Sequence, residues 1–248
     1  MTEITQDLLA GARNMLVGCG KLKAGDRVLV VVEEPGLGYY DEILGQVVAH
    51  EARSLGVETT VLTVPFRETV DTLAPEVSEA MRAADLTVFL ARLGDQIRFD
   101  DIIVGCRALV CYALDRDMLA SAFGRLEYSA FSSFRTGVDA MFAAADNIRV
   151  TCQAGTDFSG SVAASVPPKD TNTVRFPLSV FTPIPAQGFS GRMAVRGFLV
   201  GTGSAFYTPY ACRIEDTLIV NFRDNRILGF EGKRADVSTA QAFYESVS

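Results

Sequence analysis

Histidine is nearly absent from this chain. His50 is the single copy in 248 residues, and imidazole is the commonest general base and transition-metal ligand. A histidine-rich metal site and a self-contained Ser-His-Asp arrangement are therefore nearly excluded. His50 lies mid-helix by pattern, in Val47-Val48-Ala49-His50-Glu51-Ala52, where a helix-surface or packing role is expected. Tryptophan is missing altogether. Five cysteines (Cys19, Cys106, Cys111, Cys152 and Cys212) form no Cys-x-x-Cys pair, and at least three sit in apolar runs, so reduced thiols packed as small hydrophobes are expected. No apolar run approaches the roughly 18 residues that span a bilayer, and the N-terminus is no charged-then-apolar leader. A cytoplasmic protein without membrane association is expected. Positive charge is also short, with a formal net charge of −7, which disfavours a surface that tracks nucleic-acid phosphates.

What is present is a globular composition, 48% hydrophobic and 21% charged, with enough apolar surface to offset the entropy of ordering the chain. Up to Asp146, helical and strand patterns alternate. Leu8, Leu9, Ala12, Met15 and Leu16 recur at helical spacing, and Gly18 and Gly20 close that helix. The β-branched run Arg27–Val32 predicts a strand buried on both faces of a parallel sheet. A helix over 40–55 closed by Gly56, a strand over 57–64, a helix over 75–84 and strands over 85–91 and 107–114 follow. Residues 118–146 read as helical, with a break near 127–129. Alternation of this kind implies right-handed crossovers. Ligands of such sheets bind beyond the carboxyl ends of the strands, which directs attention to the loops after Val32, Val64, Ala91 and Leu114.

Gly36-x-Gly38 lacks the third glycine of the dinucleotide fingerprint, and no Gly-Lys-Ser/Thr follows it, so loop geometry accounts for these glycines. The loop after Ala91 is the richest in charge, with Arg92, Asp95, Arg98, Asp100 and Asp101. Two readings apply: a solvated surface, or a polar pocket in which Arg92 or Arg98 uses its planar fork on a small anion. Beyond Asn147 there is almost no helical pattern. Strands are expected near 148–152, 179–182, 192–200, 211–222 and 226–230, with Arg223-Asp224-Asn225 as a tight hairpin turn, and a closing helix over 236–247. The expected fold class is thus α/β, with an N-terminal parallel-sheet domain flanked by helices (1–146) followed by a β-rich second domain (147–248). The seam carries Gly155-Thr156-Asp157, a turn in which the carboxylate either caps its own backbone or contacts a ligand.

Several stretches together resemble the aminopeptidase T family of metalloproteases and its relative, the iron-dependent dihydroxypyridine ring-cleaving dioxygenase. They are Leu22–Leu29, Ala49–Val61, Ile148–Thr151 with Gly155–Phe158, Phe181-Thr182-Pro183 and Ile219–Gly232. Cys212–Glu215 and Gly229–Gly232 are closer to the dioxygenase branch. The resemblance implies a divalent metal, iron in that branch, and a small hydroxylated N-heterocycle as substrate. It also implies that the metal-binding histidines and aspartate belong to a C-terminal portion following Ser248. Ser179 stands where the peptidases carry a metal-ligand Glu, so no metal ligand transfers onto this sequence, and no catalytic residue is assigned. A fragment of a longer enzyme, a second polypeptide supplying the metal half, and a scaffold without the chemistry are the three explanations. The alternatives to a dioxygenase are a metallo-aminopeptidase and a non-catalytic binding module. The expected substrate contacts are Asp157 as an orienting acceptor, with Arg92 and Arg175 holding an anionic group. A homo-oligomer is expected.

Overall fold

The computed structural model describes residues 4–98, 105–162, 173–178, 186, 188–200 and 211–247. The chain divides into two compact units, Met1–Gly137 with Lys169–Phe181, and Val138–Pro168 with Thr182–Ser248.

The first unit is a parallel sheet of five strands. In chain order it comprises α1 (Gln6–Arg13), a π-helical turn (Asn14–Cys19), β1 (Arg27–Glu33), α2 (Ile43–Ser54), β2 (Glu58–Val64), α3 (Pro75–Ala83), β3 (Leu86–Leu90), α4 (Arg92–Gln96), β4 (Ala108–Cys111), and the short helices α5 (Arg116–Ala120) and α6 (Ala122–Arg125). Then comes α7 (Tyr128–Ala143), which runs across the division between the units. The strand order is β2-β1-β3-β4-β7, where β7 is Val174–Phe176. The α/β expectation holds, and its cause is visible in β1. Val28 and Val30 enter a core with Leu8, Leu16, Val47 and Leu109, while Leu29 and Val31 enter a second core on the opposite face with Val77, Met81, Phe89 and Val110. A strand covered on both faces must be apolar at consecutive positions. Thr5 caps α1 through its hydroxyl, which accepts from the Leu8 amide at 3.3 Å, and Gly56 ends the α2 turn at a φ of 74° as expected of a left-handed cap.

Three expectations change here. The charged segment after β3 is the short helix α4 rather than open loop; its members Asp100 and Asp101 lie outside the described residues. The helix that follows the expected break begins at Tyr128, within the 127–129 segment itself. Finally, Val174–Phe176 pairs in parallel with β4, Leu109 opposite Val174 and Cys111 opposite Phe176. The chain thus returns to the first sheet after visiting the second, which differs from an uninterrupted 147–248 domain. A three-residue strand whose partner lies more than sixty positions earlier (from Cys111 to Val174) leaves no local period to detect.

The second unit is antiparallel, ordered β10-β9-β8-β6-β5, with β5 (Asn147–Thr151), β6 (Asp157–Ser161), β8 (Ser190–Val200), β9 (Ala211–Arg223), β10 (Arg226–Glu231) and α8 (Arg234–Val247). Ile214, Leu218 and Val220 of β9 bury against Ala240 of α8. The expected hairpin is a two-residue turn, with Asp224 and Asn225 at φ of 49° and 58°, the left-handed pair that matches strand twist. The strand expected at 179–182, and with it Ser179 and the Phe181-Thr182-Pro183 element, lies outside the described residues. No helix among the described residues is long and apolar enough to cross a membrane.

One buried hydroxyl makes a first test. Thr87 in β3 is 1% exposed, and its Oγ1 has no hydrogen-bond partner among the described residues. Leaving a hydroxyl unpaired in an apolar core costs about 1–3 kcal/mol. Thr87→Val is expected to raise the urea midpoint without changing the slope of the transition; a lower midpoint would show that the hydroxyl is satisfied.

Candidate functional site

In the order β2-β1-β3-β4-β7 the chain leaves β1 toward β2 on one side and then builds β3 and β4 on the other. The carboxyl ends of β1 and β3 therefore flank a topological switch point, the usual ligand crevice of an open parallel sheet. Glu33 ends β1, and Arg92 opens α4 directly after β3. The two form a two-point ion pair, Arg92 Nε to Glu33 Oε1 at 2.9 Å and Nη2 to Oε2 at 2.8 Å, while the Arg92 amide donates to Oε1 at 2.6 Å. Both side chains are largely out of solvent, at 17% and 6% exposure for Arg92 and Glu33. The guanidinium lies over Phe66, 3.6 Å from the ring centroid, and faces Tyr39 at 4.7 Å, contacts that favour a cation desolvated against ring faces. Three loops meet here: Tyr39 follows β1, Phe66 follows β2, and Arg92 follows β3.

Glu33 lines two clefts. One, of about 240 Å³, lies beneath the 34–42 loop and adds Glu34, Tyr39, Glu42, Gln46 and Thr63. The other, of about 90 Å³, is mostly apolar, with Phe66, Val70, Leu73, Val77 and Leu93. The loop over the larger cleft is tied down. The Tyr40 hydroxyl donates to the Cys111 carbonyl at 2.7 Å, and Asp41 pairs with Arg116 at 2.6 and 2.9 Å. Burial pushes the Tyr40 phenol well above its usual range, and the Arg116 guanidinium holds the Asp41 carboxyl below the ordinary aspartate value.

Helix α4 also carries Asp95, which accepts from the Tyr112 hydroxyl and pairs with Arg98. Arg175, on β7, sits within electrostatic reach of Tyr112, Arg98, Asp95 and Arg135. Burial, the largest effect, pushes its guanidinium below the usual value; Tyr112 and Asp95 act in the other direction, and Arg98 and Arg135 add to the lowering. The first unit thus holds Arg92 and Arg175 on the same sheet, one after β3 and one in β7.

Asp157 belongs to the second unit. It is the first residue of β6 rather than a turn residue, and both its oxygens accept from Arg149 of β5, at 2.9 and 2.8 Å. Neither turn capping nor a spare acceptor describes it: backbone bonds close that turn, the Gly155 amide to the Cys152 carbonyl and the Cys152 amide to the Thr156 carbonyl, both at 3.1 Å, while the buried Thr156 hydroxyl accepts from the Ala194 amide of β8 at 3.0 Å. The Arg149 hydrogen bonds lower the Asp157 pKa. A carboxyl depressed in the folded state adds stability above its unfolded pKa, and that stability is lost as pH falls through the folded value. NMR titration is expected to place the Asp157 midpoint below the ordinary aspartate range and Arg149→Ala to restore it; an ordinary midpoint in the unaltered chain would show that the pair does not persist in solution.

The residues that pattern reading passed over are Glu33, Tyr39 and Phe66. One signal was available for Glu33, a carboxylate that ends an otherwise apolar strand at the sheet's carboxyl edge. Among the described residues no group of three or more His, Cys, Asp or Glu side chains is arranged to hold a metal ion. The divalent metal implied by the resemblance therefore finds no fitting donor set in them. His50 is exposed on α2, and all five cysteines are free, Cys19 and Cys111 buried as expected and Cys152 exposed.

No family model matches the chain, and no curated protein matches it by sequence. Among solved structures, 2,5-dihydroxypyridine dioxygenase from Pseudomonas putida superposes with a TM-score of 0.62 at 14% identity, over 98% of this chain and 73% of that one. AmpT from Thermus thermophilus gives a TM-score of 0.48 at 9% identity over 92% and 72% of the two chains, too loose a likeness to argue from. Identity this low speaks to fold and not to chemistry. The chain thus shares the fold of the dihydroxypyridine dioxygenase, an α/β parallel-sheet unit with a β-rich unit.

Proposed function

We propose that this protein acts in the metal-dependent, oxygen-consuming opening of a small hydroxylated N-heterocycle, with the metal held by residues other than those described here. The observation that carries the reading is the likeness to 2,5-dihydroxypyridine dioxygenase across 98% of the chain. The switch-point crevice agrees with it: two clefts share Glu33, whose carboxylate pairs with the aromatic-backed Arg92, at the position where such sheets take small ligands. In this reading the chain's own residues bind and orient the ring. Arg92 supplies donors at the crevice, and Arg175 adds positive charge from β7.

The test is oxygen uptake on 2,5-dihydroxypyridine with iron analysis, on the purified chain alone and together with any polypeptide that copurifies with it. Uptake dependent on iron supports the reading. Ring binding without uptake under both conditions would return the chain to a binding module, and release of amino acids from short peptides with zinc or cobalt would favour the peptidase. Light scattering on the same sample checks the proposed homo-oligomer.

A further inference from the structure

The smaller cleft has a fastened wall. Gln96 of α4 donates through its carboxamide to the carbonyls of Arg67 and Glu68, at 2.7 and 3.3 Å, and the Arg92 guanidinium lies 3.6 Å from the Phe66 centroid. Four residues apart, these two side chains share one face of α4 and hold the segment that leaves β2. Val64 and Val77 are buried in the lining of the cleft, and Val70, Leu73, Ala74 and Leu93 add to its apolar part. Of the polar residues that line it, Arg67, Thr72 and Glu76 are exposed, while Glu33 and Gln96 already bond within the fold. A preformed surface of this kind favours apolar groups and disfavours a polar group that finds no partner.

Size separates the two clefts. The smaller, at about 90 Å³, falls short of the roughly 150 Å³ apolar cavity that admits benzene, whereas the larger has about 240 Å³. A six-membered ring therefore fits the larger cleft, and an aliphatic chain of about three or four carbons fits the smaller. Glu33 lines both, which brings a substituent on a ring in one within reach of the other. We propose that the cleft formed by residues 65–74, α3 and α4 is an alkyl pocket, selecting a ring that carries a short aliphatic substituent over the bare ring. The inference rests on the small-ring reading and adds the substituent to it.

Calorimetric titration of the full chain with 2,5-dihydroxypyridine, and with a series alkylated from methyl to hexyl at each free ring carbon in turn, tests it. Affinity is expected to rise to a maximum at propyl or butyl, about tenfold or more above the bare ring, and to fall at hexyl, which outgrows the pocket. General hydrophobicity would instead raise affinity through hexyl. Ala74→Leu fills the pocket from a half-buried position and should abolish the gain from the alkyl group. Val70→Phe, in the loop before α3, should do the same if Ala74→Leu does not fold. Equal binding of the bare and alkylated rings by the unaltered chain, or a gain that persists in the filled variants, overturns the pocket and leaves the ring reading standing. Alkylphenols that bind with the same length optimum while no dihydroxypyridine binds would keep the pocket and overturn the ring reading. No binding by any of these compounds overturns both.

Discussion

Glu33→Ala is expected to destabilise the first unit by about 3–5 kcal/mol, the usual consequence of removing one partner from a buried ion pair. The size follows from what remains behind. Arg92 is 17% exposed and Glu33 6%, so the truncated site retains a guanidinium with little access to water and no carboxylate. The Arg92 amide, which donates to Glu33 Oε1 at 2.6 Å, loses its acceptor as well. Cation–ring contacts with Phe66 and Tyr39 persist, but they are worth about 0.5–2 kcal/mol and do not offset an unpaired charge. Urea denaturation followed by far-ultraviolet circular dichroism measures the loss. Replacing both partners, Glu33→Gln with Arg92→Met, should recover part of it, because a neutral pair of similar volume leaves no charge to desolvate. A loss below about 1 kcal/mol for Glu33→Ala would mean that water reaches the pair and that it behaves like a surface bridge.

Phe89→Ala is expected to cost about 3–5 kcal/mol by leaving a cavity in the core beneath α4. Phe89 is fully buried in β3 and is among the largest side chains that are so. Its ring also sets the height of α4: a Cβ placed on Gly94 would lie 2.6 Å from the Phe89 Cγ and 3.0 Å from Cδ2, so only glycine allows the helix this close to the ring. Arg92 and Asp95 ride on the same helix. The truncation should therefore weaken ring binding at the crevice in addition to lowering stability, whereas Leu218→Ala, in the core of the second unit, should lower stability with a smaller effect on that binding. A stable Phe89→Ala variant with unchanged affinity would show that α4 is held without this contact.

Much of the fold was legible before any coordinates because it is written in local period. Consecutive apolar, mostly β-branched residues at Val28–Val32 require two covered faces, and the alternation of such runs with amphipathic helices requires a parallel sheet. Gly56 and Asp224-Asn225 announce their positive φ by residue type. The rule that ligands gather beyond the carboxyl ends of parallel strands led to the segment holding Arg92 without any motif. The same rule could not supply Arg92's partner. Glu33 lies 59 positions away, and nothing in the spacing of two charged residues says that they meet. Asp157 shows the converse error: Gly, Thr and Asp in series suggest a turn, yet the turn ends one residue earlier, and the antiparallel register sets Arg149 on the neighbouring strand within reach of the carboxylate.

By itself, then, the sequence determined the two kinds of sheet, the order of most elements, the scarcity of histidine and the edge at which a ligand would be sought. These are properties of composition and of intervals of two to four residues, which covalent geometry converts directly into strand and helix faces. Tertiary structure alone decided that β7 rejoins the first sheet, that Arg92 spends its fork on Glu33 between two aromatic rings, and that Asp157 belongs to a cross-strand pair. Each of those is a meeting of side chains brought together by strand order or register, and the free energy that selects it comes from desolvation and packing across the fold rather than from any preference of the local chain.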